Sequence, residues 1–380
     1  MKITVAIDSF KGSLPSLISG EAVKSAAECV FDDPSVYIRP LADGGEGTVD
    51  AIISANNGEL ITLGVTGPLG KPVTASYGLI KKTNTAVIEM SSAAGITLLS
   101  REELNPLVTT TFGVGELIRD AISKNARRFV VGIGGSATND GGVGMLKALG
   151  FDFLDSDGNP IENGAIGLSK LAKIKCDNAL KELSDCEFLV ACDVKNPLCG
   201  VSGASAVYGP QKGATPEMVK DMDAWLLNYA NLTKKLIPSA DEKIEGTGAA
   251  GGMGFALMAY LGARLTSGIE LVMRETELEE YIKKSDIVVT GEGRLDGQSA
   301  MGKAPVGVAR LAKKYSKLVI AFSGCATDDA GLCNKEGIDA FFPILRAPVS
   351  LSEAMDIENA RKNLTLTAEQ AFRLIKALTK

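Results

Sequence analysis

Residues 1–48, MKITVAIDSFKGSLPSLISGEAVKSAAECVFDDPSVYIRPLADGGEGT, decide the fold. Ile3 to Ile7 is a short apolar run of strand type, and it opens into the polar loop Asp8-Ser9-Phe10-Lys11-Gly12-Ser13. From Leu14 to Val30, the residues Leu17, Ile18, Ala22, Ala26 and Val30 recur at the spacing of one helix face. Val36 to Leu41 predicts a second strand, which runs into Ala42-Asp43-Gly44-Gly45-Glu46-Gly47-Thr48, and a helix begins near Thr48. Strand, helix and strand in this order make the repeating unit of a parallel sheet covered by helices.

The texture changes beyond Gly58. Leu60 to Val65, Val73 to Ile80 and Ala86 to Met90 predict strands joined by the turns Gly67-Pro68-Leu69-Gly70 and Lys82-Thr83-Asn84, an antiparallel meander. A helix over Gly113 to Lys124 and strands over Phe129 to Ile133 and Phe188 to Cys192 follow. The last hundred residues return to the opening pattern. Strands are predicted at Ile287 to Thr290, Leu318 to Phe322 and Ala340 to Ile344, with helices at Lys303 to Tyr315 and Glu369 to Leu378. Two strands in front and three behind imply one five-stranded parallel sheet. The expectation is an α/β protein in which a doubly wound domain, residues 1–60 plus 280–380, is interrupted by an inserted mixed α/β domain, residues 61–279.

Composition narrows the chemistry. The 380 residues contain no histidine, which removes Ser-His-Asp and Cys-His machinery and histidine-ligated metals. Forty basic against 46 acidic residues leave a net charge of -6, unsuited to a protein that binds nucleic acid through a basic face. The seven cysteines form no C-x-x-C pair and predict reduced thiols. The N-terminus lacks a signal-peptide pattern and no window approaches the ~18 apolar residues of a membrane span. A cytoplasmic enzyme is expected, with no membrane and no nucleic-acid partner. The sequence leaves the oligomeric state open, a homodimer among the states allowed. Glycine is in excess, 42 of 380 residues, about 11% against a usual ~7%.

Those glycines gather in five loops, each after a predicted strand: Asp8 to Ser13, Asp43 to Thr48, Gly134 to Gly142, Asp193 to Gly200 and Gly291 to Gly297. In open α/β sheets, ligands bind outside the carboxyl ends of strands. One such loop is adequately explained as a tight turn. Five that all carry glycine and a carboxylate, two of them with lysine, point instead to Mg2+-dependent phosphoryl transfer. That chemistry needs metal-bearing carboxylates, cations and backbone amides on the phosphate oxygens, and no histidine.

Two phosphate-binding templates fit poorly. Gly297-Gln298-Ser299-Ala300-Met301-Gly302-Lys303-Ala304 has the G-x-x-x-x-G-K spacing, but Ala304 stands where a P-loop carries its Mg2+-binding hydroxyl. Gly132-Ile133-Gly134-Gly135-Ser136-Ala137 matches a dinucleotide fingerprint, which would require an adjacent parallel strand near Asp152 or Asp155. Lys303 remains a phosphate ligand candidate at a helix start.

Read together, Asp8–Ser13, Pro40–Thr48, Gly132–Gly142, Ala191–Gly200, Gly209-Pro210-Gln211-Lys212-Gly213 and Thr290–Ser299 resemble the bacterial glycerate kinase family, over essentially the whole chain. The resemblance implies ATP-dependent phosphorylation of D-glycerate to 2-phospho-D-glycerate in organic- and sugar-acid breakdown, with ATP and Mg2+ required. It also implies that the doubly wound domain is flavodoxin-like and that the inserted domain is similar to restriction endonucleases. The site expected from these motifs has Lys11, Asp193, Asp296 and Arg294 as catalytic residues. Asp193 or Asp296 would orient the attacking hydroxyl, and Arg294 would neutralise charge. Substrate and nucleotide would be bound by Ser9, Lys11, Gly134, Gly135, Ser136, Thr138, Asn139, Glu292 and Lys303. The metal would be supported by Asp43, Glu46 and Asp140. Two rival readings are a nicotinamide-dependent enzyme acting on glycerate-like acids and a non-catalytic sugar-acid sensor.

Overall fold

The structure, a computed structural model, describes residues 1–379. In chain order its strands are β1 (Lys2–Ile7), β2 (Ser35–Ile38), β3 (Glu59–Thr66), β4 (Pro72–Ile80), β5 (Thr85–Glu89), β6 (Arg128–Gly132), β7 (Asp152–Leu154) and β8 (Lys173–Lys175). They continue with β9 (Glu187–Ala191), β10 (Arg264–Thr266), β11 (Ile287–Leu295), β12 (Leu318–Ala326) and β13 (Ala340–Pro343). Two compact units result. The first comprises Met1–Asp43, Asp50–Asn56 and Ile269–Lys380, and the second Gly44–Val49 and Asn57–Gly268.

The first unit is built on a five-stranded sheet of order β13-β12-β11-β1-β2, with every neighbouring pair parallel. A central parallel strand has no solvent face, and β1 is accordingly buried from Ile3 to Ile7 on both sides of its pleat. On one face, Ile3, Val5, Val289, Ile320 and Phe322 pack under the helices Ser16–Val30 and Ile357–Leu378, where Phe31 meets Phe372 with ring centroids 5.7 Å apart. The helices Leu278–Lys284 and Ala304–Lys313 pack on the sheet with buried side chains outside that cluster, so both faces are covered.

β11 and β12 are longer than expected. Their pairing continues from Ile287↔Leu318 to Leu295↔Ala326, so Glu292 and Arg294 are strand residues rather than loop residues. Glycine makes the extension possible: a Cβ on Gly291 would run into the Phe322 carbonyl, and one on Gly324 into the carbonyl of Gly293. The closing helix also starts earlier, at Ile357, where the Asp356 carboxylate accepts the Asn359 amide at 2.9 Å.

The second unit carries a six-stranded mixed sheet, β10-β9-β6-β5-β4-β3. The meander β3-β4-β5 is antiparallel as expected, whereas β5, β6, β9 and β10 run parallel. Phe129 and Phe188 stack at 4.7 Å in its core. β7 pairs antiparallel with β8 in a separate ribbon, and β6 lies between β5 and β9. The acidic parallel neighbour that a dinucleotide fold requires beside β6 is therefore not supplied by Asp152 or Asp155.

Candidate active site

In the first unit the polar loops emerge from the carboxyl ends of β1, β2 and β11. The Asp8 amide donates to the Gly291 carbonyl at 2.9 Å, which fixes the exit of β1 against β11. Ser16 fixes it against β2. Its Oγ donates to the Ile7 carbonyl at 2.5 Å and accepts the Leu41 amide at 2.9 Å. Gly12, at φ +77, turns the loop so that Lys11 reaches Asp43, with Nζ 3.1 Å from Oδ2. Asp8 is buried, with 8% of its surface exposed, and its Oδ1 accepts the Ser9 amide at 2.7 Å.

Electrostatics single out Asp8. Burial, reinforced by the nearby charges of Asp43 and Glu292, pushes its carboxyl up to about 7, against the opposing pull of the Ser9 amide and Lys11. Burial also raises the Glu292 carboxyl, although its Oε1 accepts the Ser299 hydroxyl at 2.5 Å and Lys303 favours its charge. Lys11 is held more firmly protonated, mainly by Asp43. Asp296 goes the other way. Burial raises it, but the Ser299 amide at 3.0 Å and the charge of Lys303 outweigh that and leave it below the usual carboxylate range. Arg294 Nε and Lys303 Nζ lie 3.5 and 3.6 Å from the two Asp296 oxygens. The first unit therefore brings together Lys11, Asp43, Glu292, Arg294, Asp296 and Lys303, with half-buried Ser9 beside Asp8. Asp8 and Ser299 join them, although the sequence reading assigned neither a role.

In the second unit, Gly44 and Gly45 press against Gly132 and Gly134, close enough that a Cβ on Gly132 would run into the Gly44 carbonyl. Glu46 is exposed on this loop. Asp193, also exposed, accepts the Gly268 amide on Oδ1 at 3.1 Å. The Gly134–Gly142 loop keeps Gly134 and Gly135 exposed but turns its other polar side chains inward.

Three of the expected site residues on that loop, Thr138, Asn139 and Asp140, are buried almost completely. Asp140 is fully buried and accepts the Thr111 amide (2.8 Å) and hydroxyl (2.9 Å) and the amides of Gly142 (3.1 Å) and Gly144 (3.3 Å). It secures the loop, and its oxygens are occupied. The Asn139 side-chain amide donates to Ser205 at 2.9 Å while its Oδ1 has no partner among the described residues, and Thr138 is completely buried with its hydroxyl unpartnered among them. Lys212, from the Gly209–Gly213 motif, went unassigned. It is buried with Nζ 2.8 Å from Ser136 Oγ.

Comparison with known proteins decides what these loops belong to. The model of the glycerate kinase family matches residues 3–376. The chain belongs to the glycerate kinase family. It is 46% identical to a glycerate kinase of Haemophilus influenzae, covering 99% of both chains. It is also 46% identical to a glycerate 2-kinase of Escherichia coli, over 98% of this chain and 99% of that one. The crystal structure of a putative glycerate kinase 2 from Salmonella typhimurium superposes with a TM-score of 0.92 at 44% identity, covering 100% of this chain and 99% of that one. No helix among the described residues is long and apolar enough to cross a membrane.

Proposed function

We propose that the protein transfers the γ-phosphoryl group of ATP to the 2-hydroxyl of D-glycerate, giving 2-phospho-D-glycerate in organic- and sugar-acid breakdown. The observation that carries this reading is the buried Asp8 at the end of a central parallel strand, with Lys11, Asp43 and Glu292 near enough to shift its protonation. The name of the Escherichia coli relative, a glycerate 2-kinase, supports the choice of the 2-position. The strand order β2-β1-β11-β12-β13, all parallel, supports a flavodoxin-like reading of the first unit, with the second unit as the inserted, endonuclease-like domain. Seven free cysteines fit a cytoplasmic setting.

Phosphoryl transfer asks a protein for positioning and charge more than for covalent chemistry. Asp8 is suited to orient the acceptor hydroxyl and take up its proton, because a carboxyl near 7 binds a proton usefully at neutral pH. Asp296, held ionised by the Ser299 amide and Lys303, is suited to aim Lys303 and Arg294 at phosphate oxygens. Lys11 would hold a phosphate or the glycerate carboxylate. Asp193 stays a second candidate for contact with the hydroxyl.

The donor set fits Mg2+. This hard cation takes one or two carboxylates together with waters and substrate phosphates. Asp8, Asp43 and Glu292 offer oxygen ligands whose mutual repulsion a cation would relieve. Among the described residues, no group of three or more histidine, cysteine, aspartate or glutamate side chains is placed to hold a metal ion by itself. A bound Mg2+ would supply charge neutralisation for the phosphate. Asp43 and Glu292 would hold it.

Release of ADP from ATP and Mg2+ on addition of D-glycerate tests the reading. Turnover that depends on D-glycerate is expected. Glycerate binding without ADP release would favour a sensor, and NADH oxidation with hydroxypyruvate would favour a dehydrogenase.

A further inference from the structure

The Gly209–Gly213 motif plays no part in the chemistry above, yet it drives a lysine into the interior of the second unit. Lys212 closes a short turn over Pro210–Lys212, with its amide on the Gly209 carbonyl at 2.9 Å and the Gly213 amide on that of Pro210 at 3.1 Å. Gly213 has φ +93, and a Cβ there would run into the Leu104 carbonyl. The result is a lysine with 1% of its surface exposed. Burying an ammonium is costly unless it is matched by acceptors, so a built purpose is implied.

Its partners define that purpose. Lys212 Nζ donates to Ser136 Oγ at 2.8 Å and to the Thr138 carbonyl at 2.6 Å. Burial pulls the Lys212 ammonium down to about 7; protonated, it has no lone pair, so the Ser136 oxygen is the acceptor and its hydroxyl proton points elsewhere. Among the described residues that proton has no acceptor, although Ser136 keeps 8% of its surface open next to the exposed Gly134 and Gly135. The amides of Gly134, Gly135 and Ser136 likewise donate to no acceptor among the described residues.

The loop around these donors is nevertheless firmly held. The Gly132 carbonyl accepts the Met90 amide (2.9 Å), the Gly135 carbonyl accepts the Ile96 amide (2.8 Å), and the Ala137 amide donates to the Ala94 carbonyl (2.9 Å). Four adjacent donors without acceptors, on a loop fixed from behind, form a concavity for an anion.

We propose that Lys212 is a positioning residue that fixes Ser136 as a donor and so completes, with the amides of Gly134, Gly135 and Ser136, a cradle for one oxyanion. The oxyanion is the carboxylate of the acceptor or a phosphate of the nucleotide, a choice of ligand that rests on the kinase reading. The lysine acts from below and does not touch the ligand.

The test is a double-mutant cycle of Ser136→Ala and Lys212→Met, with D-glycerate and ATP-Mg2+ titrated separately by calorimetry and KM and kcat measured for each. Ser136→Ala should weaken one substrate about 10- to 100-fold, the loss expected of a hydrogen bond to a charged group, and leave the other unchanged. The affected substrate identifies the oxyanion. Lys212→Met should weaken that same substrate, the double mutant should be no worse than the poorer single mutant, and Ser136→Thr should retain binding.

Additive losses, or equal damage to both substrates, would overturn the positioning role. Should Lys212→Met fail to fold, Ser136→Ala alone remains decisive: wild-type binding of both substrates would rule out the cradle. Inorganic phosphate is the third titrant. If neither substrate binds the wild type, phosphate binding that Ser136→Ala abolishes would sustain the cradle while the kinase reading fails, and no binding of any of the three would sink both.

Discussion

Asp8 carries the most consequence of any residue in the first unit. Its carboxyl is raised from an ordinary 3.8 to about 7, so the folded protein holds this proton more tightly than the unfolded chain does. The associated stability is fully present below about pH 4 and is lost as pH rises through about 7. Asp8→Asn removes the penalty of ionising a buried group. The variant should be more stable than wild type at pH 8 by up to a few kcal/mol, with urea midpoints converging near pH 4. Its kcat should fall by ~10²–10⁴, and in the wild type kcat/KM should decline as pH drops below about 7.

Lys11→Ala offers the contrast. The Lys11–Asp43 pair is open to solvent, and exposed pairs contribute about 0–1 kcal/mol. Thermal melting should therefore barely move, while KM for a substrate anion rises at least tenfold. An unchanged KM would remove Lys11 from the site. In sequence, Asp8, Asp43, Asp193 and Asp296 look alike, each an aspartate in a polar loop predicted to follow a strand. Burial and neighbours separate them, and both are properties of the folded chain. The same holds for Lys212, whose motif was visible but whose inward direction depends on the Gly213 turn and the room beside Leu104.

At the scale of elements, ten of the thirteen strands and helices such as Ser16–Val30, Phe112–Ser123 and Ala304–Lys313 were legible because each has one dominant period and a polar loop at its end. By contrast, β7, β8, β10 and helices such as Pro216–Leu236 and Ala249–Leu261 were not assigned. The reach of β11 was hidden because glycine reads as a loop. Gly291 and Gly324 instead permit the close pairing that carries β11 through Glu292 and Arg294 to Leu295. The early turns of the helix Ile357–Leu378 were missed for a related reason. Its buried face is only Ala360, Leu364, Ala368, Ala371 and Phe372, amid polar residues. Gly291→Ala would force a methyl group against the Phe322 carbonyl. It should cost about 1–3 kcal/mol by chemical denaturation and lower kcat with it, by displacing Glu292. Full stability in this variant would mean that the tight pairing is not what seats Glu292.

Across the whole molecule, the parallel sheet assembled from both ends of the chain followed from counting two strands in front and three behind. The mixed second sheet was only half legible. Its antiparallel meander announces itself by short turns, whereas the parallel pairing of β5, β6, β9 and β10 joins neighbours whose first residues, Thr85, Arg128, Glu187 and Arg264, lie 43, 59 and 77 residues apart. The absence of histidine and the charge of -6 constrained the chemistry before any coordinate did. The most direct measurement is a phosphorus NMR spectrum of the product formed from ATP, Mg2+ and D-glycerate. A phosphomonoester coupled to the proton on C2 is the predicted result. A resonance coupled to the C3 methylene protons would contradict the 2-position, and the lack of any new phosphomonoester would contradict the phosphoryl-transfer account itself.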